Sequence, residues 1–386
     1  MRRYLTGARV FTGHEMLDGE GVLIENGTIL DIGTAPRIGS VETVRLREDA
    51  LLVPGFIDTQ VNGGGGALFN EAPTEATIRT IVAAHRRFGT TGLLPTFITD
   101  DAEKMRAAAG AAIALTGQRG SGVLGLHLEG PYLSVERRGV HNADFVRRPT
   151  PADIDELCGW AGQFHGGRLL VSLAPEMVED ETIRRLAAAG IALAGAHSAA
   201  NFERTAAAIA AGLSGFTHLF NAMPPIGNRE PGIAAAALAD PDTWCGIIAD
   251  GIHVHPALLR LALSAKPRGK LFLVTDAMTP FGTGADSFTL YGAQILRRDG
   301  RLTTDDGTLA GADLDLPMAI RNCVALLGLD LAEALRMASL YPAEFLGLAD
   351  RRGRVAPGYA ADLALLSPDL EVLSSWVDGV WQTAAA

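Results

Sequence analysis

Cysteine is scarce in this sequence. The three cysteines, Cys158, Cys245 and Cys323, are far apart and form no C-x-x-C pair. An odd and sparse set of cysteines argues against a disulfide scaffold and is typical of proteins in a reducing compartment. The cationic start at Arg2 and Arg3 is not followed by an apolar segment, so no signal peptide is predicted. We therefore expect a cytoplasmic protein.

Long hydrophobic runs and basic clusters are also missing. No stretch of about 18 consecutive apolar residues occurs, so no membrane-spanning helix is predicted. The chain has 33 lysines and arginines against 44 aspartates and glutamates, which gives a formal net charge of −11. Nucleic-acid binding needs a basic surface that neutralises phosphates. We expect neither a nucleic-acid partner nor a membrane partner.

The middle of the chain has the pattern of a parallel sheet. Short apolar runs alternate there with Ala-rich segments of helical period, as in repeated βαβ units. The eight apolar runs cover residues 51–58, 92–97, 123–129, 169–174, 191–197, 215–219, 245–250 and 271–276. Eight such units predict an α/β fold, a (β/α)8 TIM-like barrel over residues 54–350, with its active site at the carboxyl ends of the strands.

Both ends of the chain have a different pattern, with short β-like runs separated by turns. Near the N-terminus, residues 21–25 and 28–32 flank Asn26-Gly27, a pair typical of a tight hairpin. Residues 361–366 and 377–380 near the C-terminus have a similar character. We predict a small β-sandwich domain formed from both termini, residues 1–53 together with 351–386.

Several predicted barrel strands end on residues that bind metals or transfer protons. Glu129, His197 and His218 stand at the ends of the third, fifth and sixth runs, and Asp276 ends the eighth. Because barrel strand ends converge, these side chains are expected to meet. Imidazole nitrogen and carboxylate oxygen are ligands that zinc prefers. The pattern predicts a metal site made by the first three residues, with Asp276 as the catalytic acid and base.

Two further residues indicate a binding site for an anion. Arg229 lies in the long loop after the sixth run, and His253 follows the seventh. On an acidic protein, an arginine and a histidine near the mouth of the barrel are suited to hold a substrate phosphate.

Six motifs, in order along the chain, carry a resemblance to a known family. They are LEGP at 128–131, GVHN at 139–142, GAHS at 195–198, THLFNAM at 217–223, DGIH at 250–253 and TDA at 275–277. The sequence resembles the N-acetylglucosamine-6-phosphate deacetylases, a sugar-phosphate branch of the metal-dependent amidohydrolases. The resemblance implies a homodimer that hydrolyses N-acetyl-D-glucosamine 6-phosphate to D-glucosamine 6-phosphate and acetate, a reaction of amino sugar metabolism.

The resemblance also implies individual roles. Glu129, His197 and His218 would hold one divalent metal per subunit, expected to be Zn²⁺, although Fe²⁺, Co²⁺ and Mn²⁺ bind the same atoms. His141 would be a second catalytic residue that polarises the acetamide. The substrate-binding residues would be Val140, His141, Asn221, Ala222, Arg229, Asp250, His253 and the loop Leu309, Ala310 and Gly311. Arg229 would act in its own site or in that of the neighbouring subunit.

One departure from the amidohydrolase pattern concerns the number of metals. Many amidohydrolases carry His-x-His after the first strand, whereas this chain has Gln60-Val61-Asn62. Amides are weaker metal ligands than imidazoles. A second metal site is therefore not expected.

Three other functions remain open on the sequence alone. N-acetylgalactosamine 6-phosphate differs from the expected substrate in the orientation of one hydroxyl, which the sequence does not resolve. Another amidohydrolase reaction, such as nucleobase deamination, is disfavoured by the phosphate-facing loop. A non-catalytic barrel acting as a scaffold would have lost its ligands or base, but all four residues are present.

Overall fold

Eight parallel strands form the centre of the computed structural model, which describes residues 2–34 and 41–384. Each strand pairs with the next along the chain. In order they are Phe56–Val61, Thr90–Ile98, Gly125–Glu129, Arg168–Leu173, Ala192–Gly195, Gly215–Phe216, Trp244–Ile247 and Leu271–Leu273. Asp276 N donates to Gln60 O at 3.0 Å, and Asn62 N donates to Ala277 O at 2.9 Å, so the first and last strands are joined beyond the end of the eighth. The predicted barrel is confirmed.

Helices surround this sheet and bury their apolar faces against it. They are Glu75–Arg86, Ala102–Leu115, Pro151–Ala161, Asp180–Ala188, Phe202–Ala211, Gly232–Ala239, Pro256–Ala265, Leu316–Leu327, Leu331–Met337 and Leu340–Phe345, with short 3₁₀ turns at Val135–Arg137, Ala143–Phe145 and Pro175–Met177. Local chemistry sets several of the starts. The Thr150 side chain accepts from Asp153 N while the Asp153 side chain accepts from Thr150 N, a reciprocal cap at the start of Pro151–Ala161. None of the helices in the described residues is both long and apolar enough to cross a bilayer.

The two termini build a separate β domain, as predicted. One sheet contains Thr28–Gly33, Gly21–Glu25, Arg2–Thr6 and Glu42–Arg45; the other contains Val380–Thr383, Val372–Val377, Leu363–Leu366, Leu51–Pro54, Arg9–Phe11 and Met16–Leu17. Both sheets contribute to one apolar core that includes Leu5, Val22, Leu52, Leu363 and Trp376. We keep 1–53 with 351–386 as the proposed division; Met1 and the segments 35–40 and 385–386 lie outside the described residues.

The predicted strand 51–58 is in fact two strands in two domains. Leu51–Pro54 pairs within the terminal domain, and Phe56–Val61 is the first barrel strand. Gly55 joins them where a side chain would place its Cβ 2.1 Å from Thr91 Oγ1, so a larger residue does not fit. The run 51–58 was predicted as one strand because both strands are buried and begin with apolar residues, although the Pro54-Gly55 pair between them marks the break.

An antiparallel insertion follows the eighth barrel strand and was not predicted. It contains Ser287–Leu290, Ala293–Arg298, Arg301–Thr303 and Leu309–Ala312, and a smaller hairpin, Gly63–Gly64 with Ala67–Leu68, follows the first strand. Phe288 and Ile295 of the insertion pack with Ile98 and Met278 beside the carboxyl ends of the barrel. Residues 309–311, expected as a loop, are part of a strand, and Ala312 N donates to Asp276 O at 2.9 Å. The insertion thus covers one side of the site.

Candidate active site

A cavity of about 360 Å³ opens at the carboxyl ends of the barrel strands. This is the position at which (β/α)8 barrels carry their active sites. Its lining consists of Asn62, Ile98, Glu129, Glu136, Arg137, Gly139, Val140, His141, His197, His218, Asn221, Ala222, His253, Asp276, Met278, Thr308, Leu309 and Gly311. The four residues predicted to carry the chemistry, Glu129, His197, His218 and Asp276, are all among them.

Three of these four residues have an unusual backbone conformation. His197, His218 and Asp276 have φ angles of 43°, 34° and 52°, in the left-handed region that residues other than glycine rarely adopt. Each follows the last residue of a barrel strand by two or three positions. Such strain persists only where the surrounding structure holds it, and it concentrates at functional sites.

Glu129, His197 and His218 bring three possible metal-ligand atoms together. His218 Nε2 lies 2.9 Å from Glu129 Oε1 and 3.1 Å from His197 Nε2, and His197 Nε2 lies 3.3 Å from the same carboxylate oxygen. Tetrahedral zinc with bonds of about 2.0–2.2 Å places its ligand atoms about 3.3 Å apart. The donor set and its spacing therefore fit a divalent metal.

Neighbouring groups orient these ligands. His197 Nδ1 donates to Arg137 O at 2.9 Å, which leaves the lone pair of its Nε2 facing the other two residues. Burial opposes ionisation of Glu129, but hydrogen bonds from His197 and His218 hold the pKa of its carboxyl below the ordinary value. The carboxylate therefore stays charged at neutral pH.

His141 also lies at this centre. Its ring centroid is 4.4 Å from that of His197, and Glu129, His141 and His197 offer atoms that lie within 4.8 Å of one another. Burial lowers the pKa of His141 to about 3, so its imidazole is neutral. A neutral imidazole can either bind a metal through a lone pair or donate one N–H.

Asp276 is the remaining acid of the centre. Burial, together with the charge of Glu129, raises its pKa to about 6. Gln60 Nε2 and Asn62 Nδ2 donate to its Oδ1 at 3.2 and 2.6 Å. A carboxylate with these properties is suited to take up and release a proton near neutral pH.

A comparison with known protein families identifies the family of this chain. The profile described as the amidohydrolase family matches residues 51–382. The chain belongs to the amidohydrolase family. The family resemblance carried by the six motifs is thereby confirmed.

Individual relatives cover most of this amidohydrolase. An N-acetylgalactosamine-6-phosphate deacetylase from Shewanella sp. (strain ANA-3) is 45% identical over 328 residues, 85% of this chain and 82% of its own. An N-acetylglucosamine-6-phosphate deacetylase from Haemophilus influenzae is 36% identical over 89% of both chains. The crystal structure of N-acetylglucosamine-6-phosphate deacetylase from Pasteurella multocida is similar with a TM-score of 0.94 and 34% identity, and covers 99% of this chain and 100% of that chain.

In this amidohydrolase, amide side chains occupy the positions of the His-x-His motif. Gln60 Nε2 donates to both carboxylate oxygens of Glu129, at 3.2 and 3.3 Å, and also to Asp276. Asn62 Nδ2 donates to Asp276 as well. These N–H groups face the carboxylate oxygens that a second cation would need, which supports the expectation of a single metal.

Replacing both amides by histidine should create the second metal site. We expect the Gln60→His/Asn62→His variant to bind two divalent metals per chain, and the unaltered protein one, because imidazole nitrogens would replace the N–H donors. Metal analysis after exhaustive dialysis measures this. The exposed Gln118→His variant is the control and should retain one metal; a double variant that also stays at one would refute the explanation.

The predicted substrate residues fall into two groups. Seven of them line the cavity, namely Val140, His141, Asn221, Ala222, His253, Leu309 and Gly311. The other three, Arg229, Asp250 and Ala310, are not part of the cavity lining that the described residues form. Asp250 accepts from His253 Nδ1 at 2.6 Å and so orients that ring. Burial opposes ionisation, but this bond keeps the pKa of Asp250 low. Ala310 is buried within the insertion, and Arg229 is exposed to solvent.

Several residues that line the cavity were not predicted from the sequence. Glu136 and Arg137 lie in a 3₁₀ turn shortly after the LEGP motif. Their position after the end of a barrel strand was the sequence feature that could have identified them as site residues. Met278 follows the TDA motif directly and could have been identified in the same way, from its position after a barrel strand. Thr308 belongs to the unpredicted insertion, and Ile98 is the last, apolar residue of a barrel strand. No sequence signal distinguished these last two.

Proposed function

We propose that this amidohydrolase removes the N-acetyl group of N-acetyl-D-glucosamine 6-phosphate to give D-glucosamine 6-phosphate and acetate. The observation that carries the proposal is the convergence of Glu129, His197, His218 and Asp276 in one cavity. Relatives named as sugar-phosphate deacetylases support the substrate class, since their similarity extends over most of both chains. We further propose a cytoplasmic homodimer with one Zn²⁺ per subunit.

The proposed chemistry divides between the metal and the protein. A divalent metal held by Glu129, His197 and His218 would act as a Lewis acid and lower the pKa of water. Asp276 accepts a proton from the attacking water and then delivers it to the amide nitrogen, so that the amine leaves neutral. In the described residues Gln60 and Asn62 donate to its Oδ1, which leaves Oδ2 for the proton.

His141 stabilises the other side of the reaction. It lines the cavity beside His197 and, as a neutral imidazole, donates a hydrogen bond to the acetamide oxygen. A donor fixed in place before the reaction stabilises negative charge as it develops on that oxygen. The rest of the sugar site is formed by Val140, Asn221, Ala222, Leu309 and Gly311. Ala310 and Asp250 lie outside the cavity lining of the described part of the chain and support these residues.

The substrate phosphate is assigned to His253 and Arg229. His253 lines the cavity of its own chain, but Arg229 is exposed in the loop before Gly232–Ala239. We propose that Arg229 reaches the site of the neighbouring subunit in the homodimer. The phosphate would then supply binding energy remote from the reacting bond.

The Arg229→Ala variant should therefore bind the phosphorylated substrate more weakly. We expect KM for N-acetylglucosamine 6-phosphate to rise about 10- to 100-fold, because a hydrogen bond to a charged group contributes about 1.5–3 kcal/mol. Steady-state kinetics with the phosphorylated and the free sugar measures this. Arg184→Ala, on the exposed face of Asp180–Ala188, is the control. An unchanged preference for the phosphorylated sugar would contradict the role of Arg229.

A second candidate substrate is N-acetyl-D-galactosamine 6-phosphate. The observation that favours it is the relative of 45% identity, which is named for the galacto epimer. Comparing kcat/KM for the two epimers decides between them. Our proposal requires the gluco epimer to have the larger value, and a larger value for the galacto epimer would replace it.

A further inference from the structure

Thr99 contacts His141 through two polar atoms. It follows directly after the second barrel strand, Thr90–Ile98. Thr99 Oγ1 lies 2.9 Å from His141 Nδ1, and Thr99 N donates to the same ring nitrogen at 3.4 Å. The two residues are 1% and 4% exposed, so water does not replace these contacts.

These contacts determine which ring nitrogen carries the proton. A backbone N–H only donates, so His141 Nδ1 must offer it a lone pair. The hydroxyl proton of Thr99 then also points to Nδ1, since its other acceptor, Glu129 O, is more distant at 3.3 Å. A neutral imidazole has one N–H, which must therefore be on Nε2.

We propose that Thr99 is a positioning residue that fixes His141 as the Nε2–H tautomer and so makes it a hydrogen-bond donor instead of a metal ligand. With the proton on Nδ1, the lone pair of Nε2 would be free to bind a metal that Glu129 and His197 would hold, and those residues offer atoms within 4.8 Å of His141. With the proton on Nε2, that nitrogen donates to the acetamide oxygen. The catalytic consequence rests on the proposed deacetylation; the tautomer does not.

Residues from two other segments hold Thr99 in this position. Gly130, which follows the third barrel strand, leaves the space that the Thr99 hydroxyl occupies, because a Cβ at Gly130 would lie 2.2 Å from Thr99 Oγ1. Tyr291, from the insertion, donates its hydroxyl hydrogen to Thr99 O. The glycine of the LEGP motif thus has a physical role, which is to admit the threonine.

The tautomer is tested directly by NMR of the zinc-loaded protein. Protein labelled with ¹⁵N-histidine gives a long-range ¹H–¹⁵N spectrum in which protonated and unprotonated ring nitrogens differ. The His141→Gln variant identifies the signals of His141 by their disappearance. We expect a protonated Nε2 and an unprotonated Nδ1. A protonated Nδ1 would overturn the proposal, whatever the enzyme turns over.

Kinetics of two Thr99 variants test the consequence. Thr99→Val keeps the shape and the longer backbone contact at 3.4 Å but loses the closer hydroxyl contact at 2.9 Å, and we expect it to lower kcat about 10- to 100-fold with little change in KM or metal content. Thr99→Ser should retain most of the activity. An unchanged kcat in Thr99→Val, or a loss in Thr99→Ser as large as that in Thr99→Val, would overturn the role.

A double variant separates an action through His141 from a general structural effect. If Thr99 acts through His141, adding Thr99→Val to His141→Gln should lower kcat no further. A further fall as large as in the single variant would contradict the proposal. If the unaltered enzyme releases no acetate but its His141 is the Nε2–H tautomer, the proposed function fails and the assignment of the tautomer stands.

Discussion

The Asp276→Asn variant should lose about 10³-fold or more in kcat while its metal content remains that of the unaltered protein. General acid–base catalysis by a positioned group contributes about 10²–10⁴-fold, and here one residue serves both proton transfers. Asparagine preserves the shape, and its oxygen can still accept from Gln60 and Asn62, which donate to Asp276 at 3.2 and 2.6 Å. An amide nitrogen then replaces Oδ2, and it cannot take up the proton.

This experiment needs a comparison with an aspartate outside the site. Asp286 is exposed and does not line the cavity, so Asp286→Asn should leave kcat unchanged. Acetate release and metal analysis on the same preparations give both quantities. If Asp276→Asn keeps its metal and retains kcat within about tenfold of the unaltered enzyme, Asp276 is not the acid–base residue.

Removing the metal should abolish turnover and also weaken the fold around it. The atoms of Glu129, His197 and His218 lie 2.9–3.3 Å apart, so removing a cation from between them would leave a carboxylate and two imidazoles facing one another. We expect chelation to reduce activity below about 1%, since the metal supplies several kcal/mol of transition-state stabilisation. One equivalent of Zn²⁺ per chain should restore activity and raise the Tm.

Two histidine variants, one inside and one outside the site, test which residues bind the metal. His197→Asn should prevent metal binding, whereas His165→Asn, at an exposed position outside the cavity, should bind metal normally. Metal content and the Tm with and without added Zn²⁺ are the measurements. Full activity in a preparation shown to be metal-free would contradict the metal-dependent mechanism.

The arrangement of the site was largely accessible from the sequence because its signals are local. Glu129 is followed by Gly130-Pro131, which ends the strand, and His197, His218 and Asp276 each follow a short apolar run. In a parallel barrel this is sufficient to bring them together, since all strand ends lie on the same side. The prediction needed no knowledge of contacts between distant segments.

What the sequence did not reveal depends on contacts between distant segments. The strands of the insertion are only three to six residues long, and Ala293–Arg298, for example, has a single buried residue. The contact of Thr99 with His141 joins residues 42 positions apart, and nothing in either local pattern indicates it.

The most direct test of the central claim measures product and metal together. N-acetylglucosamine 6-phosphate, its galacto epimer and unphosphorylated N-acetylglucosamine are each incubated with the enzyme; acetate and free amine are quantified, and metal is determined on the same sample. We predict equal amounts of acetate and amine, a strong preference for the gluco phosphate, and one metal per chain. Metal-loaded enzyme that releases no acetate from any of the three sugars would contradict the proposed deacetylation.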